Sequence, residues 1–322
     1  MMRKILFILL LCLAGTPVLS QTSLDPPDKG ETTMISPYYF GPNAFPVPDM
    51  LDGTVQHDLR IELDGNHFFG TRGDHTTDLT LKVNIPLFTD RVNLTAWMPL
   101  VEWYNNSDES LVVSRLAEKA LTDPKARKGC ISGDVYISTD IHLIRQKRYV
   151  PDIALRAALR TASGNDYQYA RNYDSPGYFF DATVAKSFAL GALKQHGLRV
   201  ALSSGFLCWQ TNNARQNDAI MFGLMLKWTY KRLMLEQTLR GYSGWEHSTT
   251  RNKELAHDRP VVLKTRAAYR IKNWEVLASY QYGMRDYPFH QIQLGVAYHI
   301  NILKKETIKD KNTLWKRNSK EL

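Results

Sequence analysis

The feature that most constrains this chain is its last regular segment, Gln291–Ile300. Its even positions carry Ile, Leu, Val, Tyr and Ile, whereas its odd positions carry Gln, Gln, Gly, Ala and His. Successive side chains of a β-strand point to opposite faces, so one face of this segment is apolar and the other is polar or small. The pattern predicts a strand that has lipid on one side and water on the other.

The same alternation recurs along most of the chain. It appears in eleven earlier segments: Asp58–Asp64, Thr77–Phe88, Arg91–Tyr104, Asp134–Arg145, Val150–Thr161, Tyr178–Phe188, Leu198–Trp209, Ala219–Tyr230, Arg232–Tyr242, Val261–Ile271 and Trp274–Arg285. The total of about twelve strands is even, which is typical of a single-chain barrel. A soluble β-sandwich also alternates, but its strands average nearer six residues.

The connections between these segments fall into two length classes. Short links at 89–90, 146–148, 191–196, 231 and 272–273 alternate with longer ones, of which 105–132, 162–177 and 243–258 are the largest. Transmembrane barrels have short turns at one end and long loops at the other. The sequence therefore predicts an all-β fold, a closed antiparallel transmembrane barrel of about twelve strands in an up-and-down meander.

The flanking segments complete the predicted organisation. Residues 1–20 are interpreted as a signal peptide, because a basic head precedes an apolar run and Ser20 ends a cleavable stretch. Residues 21–53 form a Pro-rich periplasmic lead-in, 54–302 the barrel, and 303–322 a basic polar tail. The lead-in has two interpretations: it packs its aromatic residues near the lower rim, or it folds into the lumen and plugs it. In the largest of the loops, a short helix is expected over Leu111–Leu121 with Ser110 as its cap.

The signal peptide, the twelve alternating strands, the two loop classes and the aromatic Tyr298 of the last strand together resemble the Gram-negative outer-membrane β-barrel proteins, over Gln56–Ile300. The resemblance implies a bacterial outer-membrane location after cleavage near Ser20, with outer-membrane lipid and the insertion machinery as partners. Members of that class commonly end on a terminal aromatic residue. Here a tail follows Ile300, so the insertion machinery would have to recognise an internal signal at Val296–Tyr298 instead.

If the aliphatic residues face lipid, the charged ones face the lumen. The inward acidic residues are Asp58, Glu62, Asp64 and Asp78, and the inward basic residues are Arg156, Arg160, Arg199, Lys227, Arg240, Lys264, Arg266 and Arg270. Strand one of a twelve-stranded ring lies opposite strand seven, so one wall is expected to be acidic and the other basic. Charged walls set selectivity in pores. Alternatively, these charges pair across a small lumen and the barrel is shut.

These observations favour a monomeric, narrow channel for small polar or anionic solutes. A closed barrel that docks partners through its outer loops, and a lipid-modifying enzyme, are the two alternatives. We expect no catalysis, because Ser138, Asp140 and His142 share an inward face and the two outer members are about 13 Å apart at strand rise. No cofactor or metal is expected, and His67, Asp74 and His75 are interpreted as solvated. The net charge of +9 comes partly from the tail, and no nucleic-acid partner is expected. A bridge between Cys130 and Cys208 is left open.

Overall fold

The computed structural model describes residues 41–87, 90–114, 116–164, 176–190, 196–210, 216–244 and 257–303. The predicted signal peptide, the lead-in before Gly41 and most of the basic tail lie outside these residues. No helix among the described residues is both long enough and apolar enough to cross a membrane.

Thirteen β-strands form one antiparallel sheet. They are β1 (Leu59–Gly70), β2 (His75–Pro86), β3 (Val92–Asn105), β4 (Lys128–Ile131), β5 (Tyr136–Ile144), β6 (Asp152–Arg160), β7 (Gly177–Leu190), β8 (His196–Gln210), β9 (Gln216–Tyr230), β10 (Leu233–Gly244), β11 (Val261–Ile271), β12 (Trp274–Arg285) and β13 (Phe289–Ile300).

Twelve of these strands close into a ring in which each pairs with its neighbours in sequence. The seam joins β1 to β13, with Leu59 opposite Ile300 and Gly70 opposite Phe289. The short β4 is the exception, because it pairs with the end of β3 while β5 pairs with the beginning of β3. The prediction of a closed antiparallel meander of twelve strands is confirmed, and β4 is an addition that its four residues did not reveal.

Alternation along the strands sorts the side chains between the two faces of the barrel. In β1, Ile61 and Leu63 are each 39% exposed on the outer face, whereas Glu62 and Asp64 are each 4% exposed inside. In β13, Leu294 is 65% exposed while Gln293 is 8% exposed. Unpaired polar backbone is avoided because each of the twelve strands of the ring pairs with strands on both of its edges, which a membrane-spanning sheet requires. The outer surface is therefore apolar and the lumen polar.

Two details of the connections differ from the sequence prediction. Strand β1 extends to Gly70 and β2 begins at His75, so the first link is a four-residue turn rather than a long loop. The aromatic and threonine residues of that stretch, which do not alternate cleanly, obscured the extra strand length.

We name the two ends of the barrel by their connections. The end that carries this turn and the larger connections is the long-loop end, and the opposite end is the short-turn end.

The loop between β3 and β4 contains two short helices instead of the single one predicted. They are α1 (Asp108–Val113) and α2 (Lys119–Thr122), followed by a turn of 3₁₀ helix at Pro124–Ala126. The N-cap of α1 is Ser107, whose side-chain oxygen accepts a hydrogen bond from the backbone N–H of Ser110. The prediction of Ser110 as the cap was therefore wrong. Leu111, Leu116 and Ala126 pack with Tyr104 and Ile131 into a small apolar cluster above the strand end.

Candidate functional site in the barrel lumen

A segment that belongs to no strand runs through the lumen. We call residues 42–55 the lumenal segment. Its first residues contact side chains near the long-loop end, its middle contacts the centre of β6, β10 and β11, and its last residues contact β8 and β9 near the short-turn end. Prolines at 42, 46 and 48 favour the extended backbone of such a segment. The chain therefore passes lengthwise through the barrel before it forms β1.

Near the long-loop end, the segment is anchored mainly by packing. Phe45 is 1% exposed and lies in an apolar cluster with Phe179, Trp209 and Tyr242. The Arg160 guanidinium lies over the Trp209 ring at 4.6 Å and donates to the Ala44 carbonyl. The Tyr242 hydroxyl donates to the Phe45 carbonyl at 3.2 Å. Aromatic rings and one buried guanidinium thus enclose this part of the segment.

Asn43 makes a polar contact on the opposite wall. Its side-chain amide donates to the Asp78 carboxylate at 3.1 Å and also to the Glu102 carboxylate. Asp78 and Glu102 are paired residues of β2 and β3. The first residues of the segment consequently bridge the two sides of the lumen.

At the centre, Asp49 is held by cations from three strands. Its carboxylate pairs with Arg240 and, at 3.5 Å, with Lys264. Its carbonyl accepts from Arg156 Nη2 at 2.7 Å. The Asp49 side chain itself is 56% exposed to the space inside the barrel, whereas that of Arg240 is 5% exposed. The cations are therefore fixed in the wall while the carboxylate reaches them from the lumen.

Lower in the lumen, Asp52 repeats the arrangement. Lys227 Nζ donates to its carboxylate at 2.6 Å, and Arg199 Nε donates to its carbonyl at 2.6 Å. The second carboxylate oxygen accepts from the Thr54 amide at 2.9 Å, which closes a local turn. Lys227 also pairs with Glu236 at 3.0 Å. Lys227 and Arg199 of the barrel wall thus bind Asp52 through its carboxylate and its carbonyl, respectively.

Beside the segment a cavity of about 250 Å³ remains. Much of its lining comes from β1–β3, β5, β12 and β13, including Asp64, Lys82, Asn84, Asp140, Gln281 and Gln293, and it also reaches Arg156, Arg240, Lys264 and Arg266 of β6, β10 and β11. Most contacts of the lumenal segment are with β6–β11. In the described part of the lumen, the open space therefore borders both an amide-rich wall and the basic residues that hold Asp49.

The predicted inward residues occupy the following places. Glu62, Asp64, Asp78, Arg156, Arg160 and Arg240 are all buried in the barrel, and Arg199, Lys227, Lys264 and Arg266 have side chains no more than 25% exposed. Asp58 and Arg270 pair at 3.0 Å at the short-turn rim, where the Arg270 side chain is 46% exposed.

The two walls are not sorted cleanly by charge. Arg60 and Lys82 lie among the residues of the expected acidic wall, and Arg60 pairs with Glu275 at 2.8 Å. Within the basic side, Arg156 pairs with Asp181 at 2.7 Å and Arg199 with Asp152 at 2.9 Å. Asp181 lies on the strand next to that of its partner, whereas Glu275 and Asp152 lie two strands away from theirs. Sequence reasoning missed these pairs because they become apparent only once the strand order and the register are known.

Asp49 and Asp52 are the most important residues that sequence reasoning missed. The available signal was their position, since they are acidic residues in a Pro-rich segment that immediately precedes an all-β domain. Of the two interpretations of the lead-in, the contacts of residues 42–55 correspond to a segment inside the lumen. Trp209 faces inward and is fully buried against Phe45.

The side chains considered for catalysis have other partners. Ser138 donates to Asp140 at 3.2 Å, whereas His142 contacts Asp152 at 2.8 Å. His67 contacts Thr77 at 2.7 Å. Within the described ranges no group of three or more His, Cys, Asp or Glu side chains has the geometry to hold a metal ion. Cys130 and Cys208 are free thiols rather than a bridge.

Comparison with known proteins adds information at the level of fold. No family model matches the sequence, and no curated protein is similar to it. Among solved structures, an outer-membrane channel from Pseudomonas putida F1 aligns with a TM-score of 0.50 and 12% identity, over 79% of this chain and 100% of that one. A KdgM porin aligns with a TM-score of 0.44 and 12% identity, over 74% and 98% of the two chains.

The translocator domain of the autotransporter NalP from Neisseria meningitidis also aligns, with a TM-score of 0.38 and 10% identity, over 76% and 88% of the two chains. At such identities a likeness shows the fold alone. The alignment with the channel from Pseudomonas putida F1 agrees with the closed ring, the apolar outer face and the polar lumen. This chain has the fold of the outer-membrane β-barrel proteins, with twelve strands in its ring.

Proposed function

We propose that the protein is a narrow outer-membrane channel for small anionic solutes, closed by its own lumenal segment in the state described. The observation that carries the proposal is the row of wall cations along one side of the lumen. Arg160, Arg156, Arg240, Lys264, Arg199 and Lys227 each contact the lumenal segment through a carbonyl or a carboxylate.

These contacts all use the kind of oxygen that an anionic solute would present. A wall that served only to neutralise buried charge would need no more than its own carboxylates, such as Asp181 and Asp152. Instead, several of these cations have N–H donors that point into the lumen and bond to oxygens of the segment rather than to carboxylates of the wall. Such a row attracts anions and gives them successive weak contacts, which is what conduction requires.

Conduction along this row requires the lumenal segment to leave the basic side. The packing of the segment suggests a direct test. A Cβ built on Gly223 would lie 3.6 Å from Met50 Cγ, the place that the sulfur of Met50→Cys would take. The pair Met50→Cys and Gly223→Cys should therefore form a bridge that fixes the segment to β9 after a small shift of the segment. The shorter side chain at 50 removes the sulfur that would lie 2.9 Å from the new Cβ, and Ser203 Oγ, 2.6 Å from it, must rotate to another rotamer.

The experiment is planar-bilayer conductance of this double variant, made without Cys130 and Cys208. We expect few or no conductance steps from the oxidised protein, and anion-preferring steps after a reductant is added to the same bilayer. The single variants Met50→Cys and Gly223→Cys are the controls and should not respond to reductant. Equal conductance before and after reduction would contradict closure by the segment, and silence in both states would contradict the channel.

A closed barrel that docks a partner is the second candidate. It is favoured by the folded loop above β3, whose own apolar cluster leaves Val112 and Leu121 65% and 87% exposed. Exposed aliphatic residues on a structured outer loop are suited to protein contact. Silence of the reduced double variant in the bilayer would make this candidate the better one.

A further inference from the structure

We infer that the lumen contains two carboxylate-binding sites, which Asp49 and Asp52 of the same chain occupy as internal ligands and which bind the carboxylate of a soluble solute once the segment is displaced. This inference deepens the proposed function, because it names the group that the basic side recognises and the means by which the lumen is kept closed. The first site is formed by Arg240 and Lys264, and the second by Lys227.

Both sites are built by the wall and do not depend on the segment for their shape. The Arg240 guanidinium is fixed from its other side by the Gln281 side chain, which accepts from Nη2 at 2.5 Å. Lys227 is fixed by Glu236 at 3.0 Å. Arg240 and Lys227 thus keep their orientation when the carboxylate of the segment leaves, which is the preorganisation that a binding site requires.

A solute can reach the first site from the lumen. The Asp49 side chain is 56% exposed and lines the cavity of about 250 Å³, so a small solute can approach the same cations from that cavity. Two residues, Met50 and Leu51, lie between the two acids. Three steps of extended chain place the α-carbons of Asp49 and Asp52 up to about 10 Å apart. A solute with two carboxylates at a comparable separation could engage both sites together.

Small carboxylates can test the first site without any measurement of conductance. Replacing Asp49 by Ala removes the carboxylate and leaves a space of nearly the same size as formate. We expect formate to bind there and to raise the Tm of Asp49→Ala in detergent by roughly 2–4 °C at concentrations several times its Kd. Sodium chloride at equal ionic strength and formamide should raise it by less.

The matched control is Asp49→Asn. Its amide fills the space that Ala leaves open, so formate should have no effect on its Tm beyond that of chloride. An equal rise in Asp49→Ala and Asp49→Asn would overturn the inference, since it would show a general salt effect. The absence of any rise in Asp49→Ala would overturn it as well.

A second measurement guards against a variant that folds poorly. In the Met50→Cys, Gly223→Cys background, Asp49→Ala should form the bridge more slowly, and formate should restore the rate, because it re-neutralises Arg240 and Lys264 and lets the segment return. An unchanged rate with formate counts against the site. The Tm and the rate of bridge formation do not depend on conductance. An effect of formate in a protein that does not conduct would support the carboxylate site and contradict the channel. Conductance without an effect of formate would support the channel and contradict the site.

Discussion

The two halves of the lumenal segment are held by different forces. Near the long-loop end, Phe45 is enclosed by Trp209, Phe179 and Tyr242, and the one nearby guanidinium bonds to a carbonyl. Farther down, Asp49 and Asp52 are held by wall cations, and the Asp49 side chain is half exposed. Packing of this kind is insensitive to salt, whereas an exposed ion pair is screened. The difference indicates that the upper half is a permanent anchor and the lower half is the part that can be released.

The largest expected effect tests the anchor. Phe45→Ala should lower the free energy of unfolding by about 3 to 5 kcal/mol, because it leaves a cavity among aromatic rings that cannot close. Urea unfolding in lipid vesicles measures the loss. The control is Phe180→Ala, whose ring is 50% exposed on the outer face and leaves no enclosed cavity. Equal losses in the two variants would show that Phe45 is not an anchor.

A somewhat smaller effect is expected from Lys227→Met. The change removes the cation that pairs with both Asp52 and Glu236 and leaves two carboxylates close together inside the barrel, at a cost of about 3 kcal/mol. Adding Asp52→Asn and Glu236→Gln to the same chain should recover most of the loss, because no unpaired charge then remains. If the triple variant is as unstable as Lys227→Met, the methylene packing of the lysine matters more than its charge.

Asp49→Asn should have a modest effect that depends on salt. Because the carboxylate is half exposed, we expect a loss of no more than about 1 kcal/mol at low ionic strength and almost none at 1 M salt. The loss caused by Phe45→Ala should be the same at both salt concentrations. Parallel unfolding curves at the two concentrations provide the measurement. A salt-independent loss in Asp49→Asn would remove the distinction between the two halves of the segment.

The sequence predicted the wall of this barrel far better than its contents. Alternation in segments such as Gln291–Ile300 depends only on which side chains face lipid, and that constraint is local and periodic. The lumenal segment has no period, and its partners are remote: Arg199 and Asp52 are 147 residues apart. Likewise, Arg156 and Asp181 become neighbours through the register of β6 and β7. Individual inward charges could be predicted from the pattern, but their pairing required the register.

The path of the segment past β7–β9 depends on the smallness of the wall there. Ala185, Ala201 and Gly223 face Met50 and Gly53. A Cβ at Gly223 would lie 2.9 Å from the Met50 sulfur and 2.6 Å from Ser203 Oγ. The clearance between the wall and its internal ligand is thus less than the thickness of one methyl group. A single carbon added at position 223 would therefore press on the segment from the wall without altering any charge or any loop.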